Sequence, residues 1–167
     1  GAPEAVLFPM YGTDEVELSD GTYVAVASRG LEYEIDWTEP FVVDQSRHHE
    51  LDLVVRRSVV TDGWVSADFH VHASPSHDSG VSLADRVRTM VCEGVEFFAG
   101  TDHDYVINYA PTVESLGLGE WVQTAVGTET TTVELGHFLA FPIENDFLAD
   151  AGGALDWTGL TPFEIIT

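Results

Sequence analysis

His70-Val71-His72 places two imidazoles two residues apart inside the run from Trp64 to Asp78, which reads as a strand followed by a turn. Side chains alternate along a strand, so Asp68, His70 and His72 share one face, and Phe69 and Val71 the other. A neutral imidazole keeps one free lone pair, which makes histidine the commonest metal ligand near neutral pH. Beyond the Ser74-Pro75-Ser76 turn come His77 and Asp78, placed to fold back over the same face. His-x-His alone is a weak motif, equally at home on an ordinary half-buried strand. Its weight comes from Thr101-Asp102-His103, Gly127-Thr128-Glu129 and Gly136-His137, which follow in order.

These residues need elements to carry them. Ser82-Leu83-Ala84-Asp85 resembles a capping box with Asp in the third position, and Leu83, Val87, Met90 and Val91 recur at helical spacing. Gly94 supplies a stop, and Val95 to Ala99 reads as a buried parallel strand that runs into Gly100-Thr101-Asp102-His103-Asp104. Met90 and Cys92 read as packing residues. The pattern predicts a short helix between Pro111 and Leu116, a strand over Trp121 to Val126 ending in Gly127-Thr128-Glu129, and another from Gly136 to Pro142. Histidines and carboxylates thus fall at the ends of four successive predicted strands, where ligands gather in α/β sheets and barrels.

Residues 1–60 read differently, as a small β-rich, sandwich-like and incomplete module. Gly21 to Gly30 alternates as one strand, Leu31 to Asp36 and Phe41 to Asp44 as two more with Glu39-Pro40 between them, and Leu51 to Val55 as a fourth. His48 and His49 stand beside Arg47 and Glu50 as solvated loop residues. Residues 61–167 form the strand–helix–strand part. Thr161-Pro162-Phe163-Glu164 opens a helix by capping and by proline at its first position, three residues before the sequence stops. From Val65 onward the chain has about half of the roughly 200 residues that a closed β/α barrel needs, so the expectation is a barrel cut short.

Composition narrows the function classes. The chain has 167 residues and a net charge of −23, from 29 acids against six arginines and no lysine. Such a surface repels phosphate backbones, which excludes nucleic acid as the expected partner, and it suits a protein that works in salt. No apolar run reaches the ~18 residues of a membrane span. The single Cys92 precludes an intrachain disulfide and a cysteine-based zinc site. With no initiator Met and no charged-then-apolar leader, the chain reads as a processed or excised segment, or one whose leader is absent. The acidic composition and β-rich leading part favour a secreted or periplasmic location over a cytoplasmic one.

Taken together, His70-Val71-His72, Thr101-Asp102-His103, Gly127-Thr128-Glu129 and Gly136-His137 resemble the PHP (polymerase and histidinol phosphatase) domain family of metal-dependent hydrolases. The likeness spans roughly residues 20 to 167 and is nearest to the carbaryl-hydrolase-type members, which carry a β-rich region similar to Gly21-Thr22-Tyr23 through Glu34. It implies an α/β fold, a distorted seven-stranded β/α barrel here present in part, holding two or three divalent ions of Zn, Mn or Fe. By the same resemblance His70 and His72 bind the first ion, Glu129 bridges to a second held by His137, and His103 binds a third with His77 or Asp78. Asp102 is implied as a carboxylate that orients a ligand.

The implied activity, for the full-length parent, is hydrolysis of a small-molecule ester or phosphoester by metal-activated water. A neutral or weakly charged ester suits the acidic surface better than a highly anionic one. Arg86 and Arg88, on the predicted helix, read as solvated, with a share in charge stabilisation as the alternative. The amidohydrolase barrel also opens on His-x-His, but many of its members bridge their metals with a carboxylated lysine, and this chain has none. The rival from another class is a non-catalytic metal-binding or structural PHP-like module, or an inactive fragment of a longer enzyme, because the family's later His and Asp-x-His are missing.

Overall fold

The computed structural model describes residues 3–44 and 47–167, which divide into two units. One comprises Gly1–Trp64 with Cys92–Gly94; the other comprises Val65–Val91 with Val95–Thr167.

Among its described residues the first unit holds four short strands in two antiparallel pairs. β1 (Gly21–Tyr23) pairs with β4 (Phe41–Val43), and β2 (Val26–Ala27) pairs with β3 (Asp36–Trp37). The single strand expected from Gly21 to Gly30 is therefore two. It breaks where the chain changes partner: Ala25 donates its N–H to the Thr38 hydroxyl and accepts from the Thr38 N–H. The strand expected from Leu31 to Asp36 is a turn followed by a lone bridge between Tyr33 and Arg57, locked by the Arg57–Glu32 ion pair. Leu51 to Val55 forms no strand. Val54 spends its N–H on the Asp36 carboxylate at 2.7 Å instead of on a ladder. His49 is half-buried against the Phe41 ring, 5.6 Å between centroids, and is not the solvated residue its polar neighbours suggested.

The second unit is built on a parallel sheet in the order β5 (Ala67–Val71), β6 (Phe97–Gly100), β7 (Gln123–Ala125). Helix α1 (Leu83–Cys92) makes the crossover from β5 to β6, and α2 (Ala110–Ser115) the one from β6 to β7. The Ser82 hydroxyl accepts from the Asp85 N–H at 3.1 Å and donates to its carboxylate at 2.7 Å, which caps α1. Gly94 turns left-handed at φ 71°, and the Val95 N–H returns to the Met90 carbonyl to close the end. Val87 and Val91 are the buried face of α1, and Phe98, Tyr109, Val113, Leu118 and Val122 join them in the core. Phe98 and Tyr109 meet edge to face at 5.1 Å.

Gly127-Thr128-Glu129 does not close β7. The chain breaks after Ala125, and Thr128–Thr132 is a separate strand, β8, which forms an antiparallel hairpin with β9 (Gly136–Ala140). Helix α3 (Pro162–Ile166) begins with the expected Thr161–Glu164 capping box. The described strands make small sheets and close no barrel.

Candidate metal centre

The ends of β5 and β6 and one face of the β8–β9 hairpin meet around a single carboxylate, Glu129. Two glycines permit the approach. A Cβ on Gly100 would lie 2.3 Å from the Tyr109 ring, and one on Gly127 would lie 2.6 and 2.8 Å from the carbonyls of Gly100 and Ala140. With these positions bare, His103 and Glu129 form a parallel bridge, and Glu129 donates its N–H to the Asp102 carbonyl at 3.1 Å. In the hairpin, Glu129 pairs with Leu139 and Thr131 with His137, so Glu129, Thr131 and His137 share one face.

Strict alternation fails on β5. Its register against β6 shifts between Asp68 and Val71, adding a residue to this strand just where His70 lies. His72 stands one residue beyond the strand, yet both histidines reach the same atom: Nε2 of His70 lies 3.0 Å and Nε2 of His72 2.9 Å from Glu129 Oε2. His137 Nδ1 lies 2.7 Å from Oε1, and His103 Nδ1 lies 3.3 Å from Oε2. Four histidines therefore surround one carboxylate that is itself 2% exposed.

The Ser74-Pro75-Ser76 turn brings the next segment back. Ser76, buried, donates its hydroxyl to Asp78 Oδ1 at 2.6 Å and accepts the His103 N–H. Asp78 then sits 3.2 Å from His72 Nδ1 and 3.4 Å from His103 Nε2. His77 packs its ring on His103 at 4.6 Å between centroids. Among the described residues, three groups have ligand atoms close enough for one ion: His70, His72 and Glu129; His72, Asp78 and His103; and His103, Glu129 and His137. His77 belongs to none of them, so Asp78 is the member of that pair facing the cluster.

Among the described residues Asp102 makes no hydrogen bond to a histidine ring. Its buried carboxylate accepts the Ala73 N–H at 2.7 Å and the Tyr109 hydroxyl at 3.0 Å, while its carbonyl accepts from Glu129 and Thr128. It thereby holds the backbone beside both His72 and Glu129. Burial pushes its carboxyl above the usual range, against the pull of those two donors, and also raises the Tyr109 hydroxyl.

Burial likewise works to raise the Glu129 carboxyl, but the hydrogen bonds from His70 and His137 and the charge of His103 outweigh it, leaving it lowered. Asp78 is held far below the carboxylate range, first by the Ser76 hydroxyl and then by His72. Both groups are thus anionic at neutral pH, as metal-binding carboxylates must be.

Three contributors carry no motif in the sequence. Thr131 places its hydroxyl 2.5 Å from His103 Nδ1, and only its position two residues after Glu129 on a strand hints at that. Ser76 braces Asp78. Arg86, read as a solvated helix residue, instead donates its Nε–H to the His72 carbonyl at 2.8 Å. With Asp68, His70, Val71, His72 and Met90 it lines a cavity of about 310 Å³ beside the histidines. Arg88 pairs with Asp85 on the helix surface.

The donor set fits a cation better than it fits a hydrogen-bond network. His72 Nε2 is buried and forms no hydrogen bond, although Glu129 Oε2 is only 2.9 Å away, because the approach is misaligned. A buried ring nitrogen left without a hydrogen bond is an atom that a cation would satisfy. The His and Asp groups gathered around the buried Glu129 could hold a metal ion. Among the described residues no helix is long and apolar enough to cross a membrane. Comparison with family models, with curated proteins and with solved structures gave no match to this chain.

Proposed function

We propose that the chain is the metal-binding part of a PHP-type hydrolase, holding two or three divalent ions and cleaving a small-molecule ester or phosphoester. The observation that carries the reading is Glu129, a buried carboxylate faced by four histidines, one of them with a buried ring nitrogen that makes no hydrogen bond. When bound, divalent ions supply Lewis-acid chemistry: they make hydroxide accessible near neutral pH and neutralise a developing oxyanion. The protein's own part is positioning. Asp102 fixes the backbone beside His72 and Glu129, Arg86 holds the His72 carbonyl, and Gly100 and Gly127 let the strand ends meet. His70 and His137 are half exposed, which leaves the cluster open to substrate on one side, and the cavity beside His70 is the place for its body. A secreted or periplasmic setting belongs to this reading and rests on the acidic composition alone.

A second reading is a non-catalytic metal-binding module, favoured by the absence of a closed barrel among the described strands. Metal content by mass spectrometry, after dialysis in metal-free buffer, comes first. Retained Zn, Mn or Fe, lost in the His70→Ala/His72→Ala double variant, is the expected result. Turnover of a nitrophenyl ester or phosphoester that vanishes in the same folded variant supports the hydrolase. Retained metal without turnover on either probe supports the module. No metal in a folded chain defeats both.

A further inference from the structure

We infer that Arg86 determines specificity, and that the ester this site admits carries a carboxylate which pairs with the Arg86 guanidinium in the cavity beside His70 and His72. The inference rests on the hydrolase reading above and deepens it by naming the substrate class.

Arg86 and Met90 stand four residues apart on α1, so they share one face of the helix. Val87 and Val91 take the buried face, which leaves Arg86 and Met90 half-buried at its margin. That margin runs along the end of β5. Arg86 donates its Nε–H to the His72 carbonyl at 2.8 Å, and with Asp68, His70, Val71, His72 and Met90 it lines the cavity of about 310 Å³. A volume of that order holds a small ligand or part of one.

This guanidinium is unlike others in the chain. With 29 acids against six arginines, a carboxylate partner is easily found. Arg57 pairs with Glu32, Arg88 with Asp85 and Arg47 with Asp44. Among the described residues Arg86 forms no ion pair, and its hydrogen bond goes to a neutral carbonyl. A guanidinium offers five N–H donors in a planar fork. The Nη groups of Arg86 are thus left to a ligand, next to the histidines.

Such a fork matches the paired oxygens of a carboxylate or a phosphate. Asp68 favours the first. Its own carboxylate, anchored by the His70 N–H at 3.0 Å, lines the same cavity. Repulsion scales with the product of the charges, so a doubly charged phosphate meets more of it there than a singly charged carboxylate. Met90 offers an adaptable apolar wall to the carbon chain between that carboxylate and the ester. The ester bond then falls on the His70 and His72 side. A weakly charged ester narrows to one with a single negative charge.

Two measurements on the full chain test this. First, the Arg86 Nε–H and Met90 methyl signals are followed by NMR in the metal-free protein, titrated with butyrate, butyramide or inorganic phosphate. Butyrate should shift both signals saturably and butyramide should not. No shift with butyrate, or equal shifts with butyramide, overturns the inference; phosphate acting at lower concentration than butyrate overturns the carboxylate assignment. Second, kcat/KM is compared for 4-nitrophenyl hydrogen adipate and its uncharged counterpart 4-nitrophenyl hexanoate in the Zn²⁺-loaded protein. The parent should favour the adipate by roughly 10–100-fold, the worth of a hydrogen bond between charged groups. Arg86→Gln should bring that ratio to about one, with the loss in KM, and Arg86→Lys should keep part of it. Damage done through the His72 carbonyl strikes both esters and cancels in the ratio. A ratio near one in the parent, or one unchanged in Arg86→Gln, overturns the inference. Butyrate shifts without turnover of either ester would defeat the hydrolase reading and leave Arg86 standing as a carboxylate site.

Discussion

The two units answer the same solvent problem in different ways. The second buries twelve hydrophobic residues almost completely, from Val71 to Val122, and around them can afford seven buried polar or charged ones, Asp102 and Glu129 included. Among the described residues of the first unit no hydrophobic side chain is buried to that degree, while Leu31, Trp37, Val26 and Val24 stay largely exposed. Its order comes from two-stranded ladders and from polar links such as Arg57 to Glu32 and Val54 to Asp36. Paired strands without a dense apolar face are marginal alone. The imidazole cluster stands in the unit with the dense apolar core.

The sharpest test of this contrast is truncation on each side. Phe98→Ala, at a site with no exposure, should cost about 3–5 kcal/mol, whereas Trp37→Ala, at a site 64% exposed, should fall within about 0.5 kcal/mol. Denaturant unfolding of both variants measures it, and equal losses would break the comparison. Next in size is metal. Zn²⁺ at 100 times its dissociation constant should stabilise the second unit by about 2.7 kcal/mol, and the His70→Ala/His72→Ala variant should lose that gain. Followed by hydrogen exchange, protection should rise in β5, β6 and β8 and stay level in β1 to β4. A uniform rise would mean that the two units answer as one.

A smaller effect is expected at Gly127. Gly127→Ala pushes a methyl group against the carbonyls of Gly100 and Ala140, a clash worth about 1–3 kcal/mol. Because the same approach forms the His103–Glu129 bridge, metal affinity should fall along with thermal stability. Loss of stability with unchanged affinity would show that the bridge does not depend on this contact.

The same division governs what could be read from the sequence. Where an expectation rests on neighbours within a few residues, local pattern and outcome agree: the α1 cap at Ser82, the Gly94 stop and the run into Thr101-Asp102-His103 are such cases. In the first unit the alternation of Gly21 to Gly30 is real, but the choice of partner strand is not local, and the change from β4 to β3 cuts it in two. The clustered histidines were visible as types at strand ends. The bulge that re-aims His70, the hairpin that turns Glu129 inward, and Thr131, Ser76 and Arg86 were not. They act through residues 2 to 59 positions away, and apart from the place of Thr131 two residues after Glu129 spacing carries no sign of them.

The smallest expected effect concerns the cap of α1, where the second unit relies on a surface interaction as the first unit does throughout. Ser82→Ala removes the acceptor of the Asp85 N–H and should cost about 1 kcal/mol. The Asp85 carboxyl is lowered by its bonds first to Ser82 and then to Arg88, so its folded value lies below the unfolded one. Its contribution is therefore present above the unfolded value, about 3.9, and fades as pH falls through the folded one. Thermal midpoints of the parent and Asp85→Asn should differ at pH 6 and converge towards pH 3. A gap that persists unchanged into acid would mean that the cap acts through shape and not charge, and would place this helix end closer to the apolar logic of its own unit than to the polar logic of the first.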